Sequence, residues 1–484
     1  MVTESAECGD LSKFLLQLGE SLDQYLRFEH PDAMLNCESW HRALGGTVPK
    51  RGVGIDQVVA DMMQHLIPNG SQVPKPGCTA FITTGATSAG ILASLSGTVA
   101  APQRFGLTAF NYLEDVSLNW MAEMFGLSPK MQGLYSSGGS VANLVALGAA
   151  RQWAFEKRGI DPARDGLQLP SRIYASSSAH HTIHRAAAVL GMGRTAVTAI
   201  PVDDRGGIRL TALKQQLQAD AGLDSVPVAI VGNAGSTDSG AIDSLRDIGE
   251  LAREFGTWFH ADGAYGLPGI LDPRGKHLYD GLSLANSVTI DPHKWLGAPV
   301  GIGATYVDDR DLLKRAFTQE AADYLEGTVV EEGFVSSMDS FGTPYNEYGV
   351  ELSSPSRGAV VWALIREIGV EGLRDRVCRH NTMARNVAEQ AHCHPNLEVV
   401  QDPTLSICCF RYVTDQWKDL NELNRRIHRQ LVHNGQNIPS TTMVSGKCVI
   451  RPCFIGARTK QAQADALVSE VIEIGNQLLT DSND

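Results

Sequence analysis

The sequence predicts an α/β protein with a large, mostly parallel sheet domain followed by a smaller C-terminal α/β domain. Between about 88 and 310, short apolar strands alternate with amphipathic helices, the pattern that builds a parallel sheet covered by helices. Beyond about 374 a shorter strand and helix pattern follows an irregular stretch. A chain of 484 residues also exceeds the size at which one hydrophobic core keeps growing, so at least two domains are required.

Residues 10–28 place Leu11, Phe14, Leu15, Leu18, Leu22 and Leu26 at helical spacing, and a stretch broken by Pro and Gly follows to about Gly85. This is too little for an independent core, so residues 1–87 are expected to form an arm packing on something else. The large domain is expected over 88–373, with strands at 172–175, 196–202, 226–231, 257–261, 288–290 and 303–307. Helices are expected at 141–157, 211–221 and 242–255. In the last, Leu245, Ile248, Leu251, Ala252 and Phe255 make one apolar stripe, and Gly256 stops it. Residues 325–357 hold scattered Gly and Pro with no sustained period, the mark of a functional or moving segment. The small domain, 374–484, offers strands at 405–413 and 448–454, a helix from Leu420 stopped by Gly435, and a final helix.

Hydrophobic residues make up 43% and charged residues 20%, and the formal charge of −13 argues against nucleic acid or an anionic membrane as partner. The nine cysteines include no CxxC pair, so neither a disulfide framework nor a zinc site is expected, only free thiols in a reducing compartment. The first residues make a poor signal peptide, and no run approaches the ~20 apolar residues of a membrane span. These features point to the cytoplasm.

Five segments carry candidate chemistry. In SVTIDPHKWLG, 287–297, a strand ends before Pro292 and leaves His293 and Lys294 at its carboxyl end, where ligands of open α/β sheets sit. A lysine there can act as a nucleophilic amine. In WFHADGAYG, 258–266, Asp262 ends a second strand, followed by the small residues Gly263 and Ala264. In SSGGSVANLVALGAAR, 136–151, Gly138, Gly139 and Ser140 lead into a helix whose first N–H groups suit a phosphate. In IYASSSAHHTIHRAA, 173–187, His180 follows a strand and could stack on a planar group. Only His180 and His184 share a helical face there, and no metalloprotease glutamate accompanies them, so no metal is expected. In NAGSTDSGAID, 233–243, Ser236 and Thr237 offer hydroxyls in a loop. Each segment alone also fits an ordinary turn, cap or solvated side chain.

Their order and spacing together resemble the group II decarboxylases that depend on pyridoxal 5′-phosphate (PLP), and in particular the aromatic-L-amino-acid decarboxylase branch. DPHKW with HADGAYG is a specific pair, and the resemblance runs from about Pro76 to Arg458. It implies fold type I, the aspartate-aminotransferase-like fold, and decarboxylation of an L-amino acid to its amine. By that resemblance Lys294 forms the Schiff base, Asp262 partners the pyridine nitrogen, Ala264 lies under one ring face and His180 stacks on the other. Gly139 and Ser140 match the phosphate turn, and Thr237 matches a residue near the ring hydroxyl and substrate carboxylate. Ser287, Asp291 and His293 match phosphate-side positions. The irregular segment, about 326–352, matches a mobile catalytic loop that reaches into the partner subunit of a homodimer. Tyr345 is its expected proton donor, with Tyr348 as the fallback.

Three departures stand out. Asp291 stands where many members have asparagine, the basic run before the following helix is reduced to LSSPSR with Arg357, and TAFITTGATSAG lacks an aromatic–proline pattern. An aldehyde synthase and a carbon–carbon lyase on the same scaffold are the rival activities, with Tyr345 weighing against the first. A non-catalytic binding homologue would be expected to have lost Lys294, Asp262 or His180.

Overall fold

The computed structural model describes residues 11–30, 33, 37–102, 104, 108–318 and 343–481. They form two units, Met1–Cys78 and Thr79–Asp484. In the first, helix Leu11–Tyr25 buries Phe14 and leaves Leu11, Leu16 and Leu22 exposed. Helices Cys37–Leu44 and Ile55–Asp61 follow.

The second unit holds both sheets. The larger has seven strands: β1 (Gln132–Ser136), β2 (Ser171–Ser176), β3 (Val197–Ile200), β4 (Val226–Asn233), β5 (Trp258–Asp262), β6 (Ser287–Ile290) and β7 (Gly303–Val307). They lie in the order β1-β7-β6-β5-β4-β2-β3. β7 is antiparallel to both neighbours, and the other pairs are parallel. The predicted mostly parallel sheet is therefore present, with five expected strands shifted by a residue or two at their ends and the sixth as predicted. β1 went unpredicted because QGLYS is short and starts with an exposed glutamine and a glycine.

Central strands β5 and β6 are buried at every position, as expected where helices cover both faces. Register then does the positioning. Asn233 on β4 pairs with Asp262 on β5, and Asp262 with Thr289 on β6, so three polar side chains meet at the carboxyl edge. Because strand side chains alternate between faces, His260 shares a face with Asp262, and Ser287 shares one with Thr289. Helix Gly139–Glu156 packs across β4, β5 and β6.

A 37-residue helical stretch, Arg357–Cys393, runs through residue 374 and is interrupted at Gly369, whose φ of 64° suits glycine. It leads to antiparallel strands Leu397–Gln401, Cys409–Tyr412, Ile438–Val444 and Lys447–Arg451. Helices Leu420–Asn434 and Gln461–Asp481 cover them, and Gly435 caps the first in the left-handed conformation, as predicted. A separate apolar core that includes Val387, Phe410, Ile427, Leu467 and Val471 lies here.

Candidate active site

At the carboxyl edge of the large sheet lies a cavity of about 270 Å³. Nine of the residues singled out from sequence line it: Gly139, Ser140, His180, Thr237, Asp262, Ala264, Asp291, His293 and Lys294. They come from the ends of different strands, which is why a short turn or loop after each strand suffices to bring them together.

The lysine follows β6 at a turn in which the Lys294 N–H donates to the Asp291 carbonyl. Its ammonium lies 3.1 Å from Asp291 Oδ2, with only 18% of the side chain exposed. Next to it, the buried Trp295 ring stacks on Tyr265 at 5.5 Å and donates its indole N–H to His380 Nδ1 at 2.9 Å. Burial holds the His380 imidazole down to about 3, so it remains the neutral acceptor that the indole requires. The turn carrying Lys294 is thereby tied to the long helix through Trp295.

At the mouth of the helix Gly139–Glu156, Gly138 adopts φ 110°, and no side chain caps the first turn. A Cβ built on Gly139 would sit 2.5 Å from Asp291 Oδ2, so only glycine admits the carboxylate at this close approach. Asp291 is buried, and its Oδ1 has no hydrogen-bond partner among the described residues. His293 Nδ1 donates to the Ile302 carbonyl at 2.7 Å, which turns its other nitrogen toward Asp291 Oδ2, 3.8 Å away.

Asp262 accepts from Asn143 Nδ2 at 3.0 Å, from the Ala264 N–H at 3.2 Å and from the Thr289 hydroxyl at 3.3 Å. His260, wholly buried behind it, has its imidazole pushed down to about 4 by desolvation, against the pull of Asp262. Burial likewise lowers His180, although Asp262 pulls it upward. Asn143, Thr182, His260 and Thr289 were missed in the sequence. A polar residue at every second position of an apolar strand, as in His260–Asp262 and Ser287–Thr289, was the available signal.

One expected site residue lies away from the cavity, and the candidate loop tyrosine has its own partners within this chain. Ser287 does not reach the cavity: it is fully buried at the start of β6, and its hydroxyl serves Trp258 Nε1 and His260 Nδ1, each at 2.8 Å. Nor does Tyr345. Its ring is 2% exposed, its hydroxyl donates to Asp115, and the guanidiniums of Arg104 and Arg310 lie over it. Burial and then Asp115 push its pKa well up. The fallback, Tyr348, sits under Arg310 at 5.0 Å. Residues 319–342 of the irregular segment lie outside the described residues. Arg357, the remnant of the reduced basic run, pairs with Glu351 at 2.6 Å.

An amine, a carboxylate, a small residue, an imidazole and a glycine turn at a helix N-terminus fit a flat aldehyde that carries a phosphate. The glycine cradle supplies N–H groups where an anion is favoured. Among the described residues, Lys294 supplies the one side-chain amine that lines the cavity.

The model of the pyridoxal-dependent decarboxylase conserved domain matches residues 38–413. An aromatic-L-amino-acid decarboxylase of Bacillus atrophaeus is 30% identical over 441 residues, covering 90% of this chain and 88% of the relative. An L-2,4-diaminobutyrate decarboxylase of Rhizobium meliloti is 28% identical, covering 90% and 84%. Among solved structures, the Oryza sativa TDC with PLP and tryptamine superposes with a TM-score of 0.86 at 22% identity, covering 97% of this chain and 98% of that one.

Proposed function

This chain belongs to the pyridoxal-dependent decarboxylase family and decarboxylates an amino acid with PLP, and we propose that it does so on Lys294, with an uncharged L-amino acid as substrate. The observation that carries the assignment is the convergence of Lys294, Asp262, Ala264, His180 and the Gly139–Ser140 turn on one cavity. Lys294 would hold the cofactor's aldehyde carbon, and Asp262 its pyridine nitrogen. Gly139, Ser140 and His293 would hold the phosphate, and Ala264 and His180 would face the ring from its two sides. When bound, PLP supplies a conjugated ring that takes up the electron pair left as carbon dioxide departs.

The protein's own part is to hold and orient. Asp262 keeps its negative charge aimed by three donors, which favours a proton on whatever nitrogen faces it. Thr237 lines the cavity while Arg451 holds its backbone carbonyl, so its hydroxyl is presented from a fixed loop. The titratable groups lining the cavity among the described residues are Asp262, Asp291, His180, His293 and Lys294. Lys294 and His293 face Asp291, 3.1 and 3.8 Å away, and Asp262 and His180 would face the bound ring, so this chain's side of the cavity leaves none of them to pair with a charged substrate side chain. That supports a neutral side chain over glutamate or diaminobutyrate.

A second copy of this chain completes the enzyme in this reading. Helix Ser88–Ala100 exposes Leu92 and Val99 at 62% and 63%, and Phe81 and Val300 are exposed at 68% and 75%. Val300 also lines the cavity, so the apolar surface reaches its mouth. Such surface marks an interaction site. Free cysteines support a cytoplasmic location, and no helix among the described residues is long and apolar enough to cross a membrane.

One assay separates the readings: the enzyme with PLP is offered phenylalanine, tyrosine, tryptophan, leucine, glutamate and 2,4-diaminobutyrate, and carbon dioxide, amine, ammonia and peroxide are measured. Equimolar amine and carbon dioxide from a neutral amino acid is expected. Turnover of only the charged substrates overturns the substrate assignment, and ammonia with peroxide overturns the amine.

A further inference from the structure

We propose that Thr182, with Asn143 behind it, sets the tautomer of His180, so that the imidazole meets its ligand as a neutral Nε2–H donor. This deepens the proposed function and rests on His180 facing the bound ring and substrate.

Some of the groups behind His180 have no choice of role. An indole nitrogen only donates, and Trp258 Nε1 donates to Ser287 Oγ at 2.8 Å. Ser287 Oγ, which keeps a lone pair as well as its proton, also meets His260 Nδ1 at 2.8 Å and fixes no direction there, while His260 Nε2 lies 3.0 Å from Asn143 Oδ1. From the other side, a carboxylate only accepts, and Asp262 Oδ2 takes a proton from Asn143 Nδ2 at 3.0 Å. That contact orients the Asn143 amide, which would otherwise be ambiguous, and makes its Oδ1 the acceptor of the His260 Nε2 proton, leaving His260 Nδ1 to accept from Ser287.

The second Asn143 Nδ2 proton goes to Thr182 Oγ1 at 3.1 Å. That hydroxyl in turn faces His180 Nδ1 at 2.9 Å. An independent contact decides the direction: the backbone N–H of Thr182 also points at Nδ1, at 3.4 Å, and a backbone N–H can only donate. Nδ1 is therefore the acceptor of both, and the ring proton sits on Nε2. Burial favours the neutral imidazole, the form to which this choice applies.

A neutral donor can hold an anionic group of an amino acid without placing a fixed positive charge beside it. A cation there would stabilise the carboxylate ground state more than the transition state in which that charge leaves, and would slow the reaction. The opposite tautomer would turn a lone pair toward the anion. Thr182 and Asn143 are thus positioning residues acting through His180.

The test uses full-length protein without cofactor, labelled with ¹⁵N-histidine and read by long-range ¹H–¹⁵N correlation, with His180→Asn used only to assign the signals. Wild type is expected to show unprotonated Nδ1 and protonated Nε2 at His180. Thr182→Val should move the populations toward Nδ1–H, and Thr182→Ser should restore them. In the holoenzyme, Thr182→Val should lower kcat roughly fivefold, the ratio equivalent to ~1 kcal/mol for one hydrogen bond, with KM nearly unchanged and Thr182→Ser rescuing. Protonated Nδ1 in wild type overturns the proposal even if the valine variant fails to fold, and so does an unmoved tautomer in a folded valine variant. Since the spectrum is taken without cofactor, its outcome is independent of whether Lys294 carries PLP.

Discussion

A tyrosine proton is available for catalysis only where the hydroxyl faces the substrate. Tyr345 instead gives its proton to Asp115, which also accepts from Thr343 at 2.9 Å. Its neighbour Glu347 pairs with Lys314 at 2.7 Å and accepts at its carbonyl from Thr318. Tyr345 therefore ties the later part of the irregular segment to helix Ala109–Met124, which carries Asp115. Tyr345→Phe should cost about 1 kcal/mol of stability for the lost hydrogen bond, seen as a lowered Tm, and should leave the ratio of amine to aldehyde unchanged. Aldehyde appearing in place of amine would return this residue to the mechanism. This contact was illegible because Asp115 lies 230 residues earlier in the chain. Ser287 misled in the same way, since nothing local reveals that Trp258 and His260 occupy its hydroxyl.

At the scale of elements, the close approach of helix Gly139–Glu156 to the turn after β6 is the most demanding contact of the site. Gly139→Ala would place a methyl 2.5 Å from Asp291 Oδ2 and push that carboxylate from its place beside Lys294. We expect PLP affinity, titrated by absorbance, to fall at least tenfold, about 1.4 kcal/mol, with the far-ultraviolet circular dichroism preserved. Unchanged affinity would show that the cradle is looser than its geometry implies. The sequence announced this element because glycines before an apolar helix are a local signal, as are Asp262 and Lys294 at the ends of apolar strands. It did not announce Asn143, whose partners Asp262, His260 and Thr289 lie 119, 117 and 146 residues away. Only strand register brings those side chains together, and register is a property of the sheet.

Across the whole molecule, one sheet gathers the chemistry, and an exposed apolar surface near the cavity mouth leaves room for a second copy. The α/β class was legible because the alternation of strands and helices repeats over more than 200 residues. Edge strand β1 and the helical stretch that runs through residue 374 after its break at Gly369 were not, since neither has a distinct local pattern. Every assignment converges on one amine. Reduction of the PLP-loaded protein with borohydride, followed by peptide mapping, should place the pyridoxyl group on the peptide containing Lys294. A pyridoxyl group on another lysine, or on none, would contradict the account.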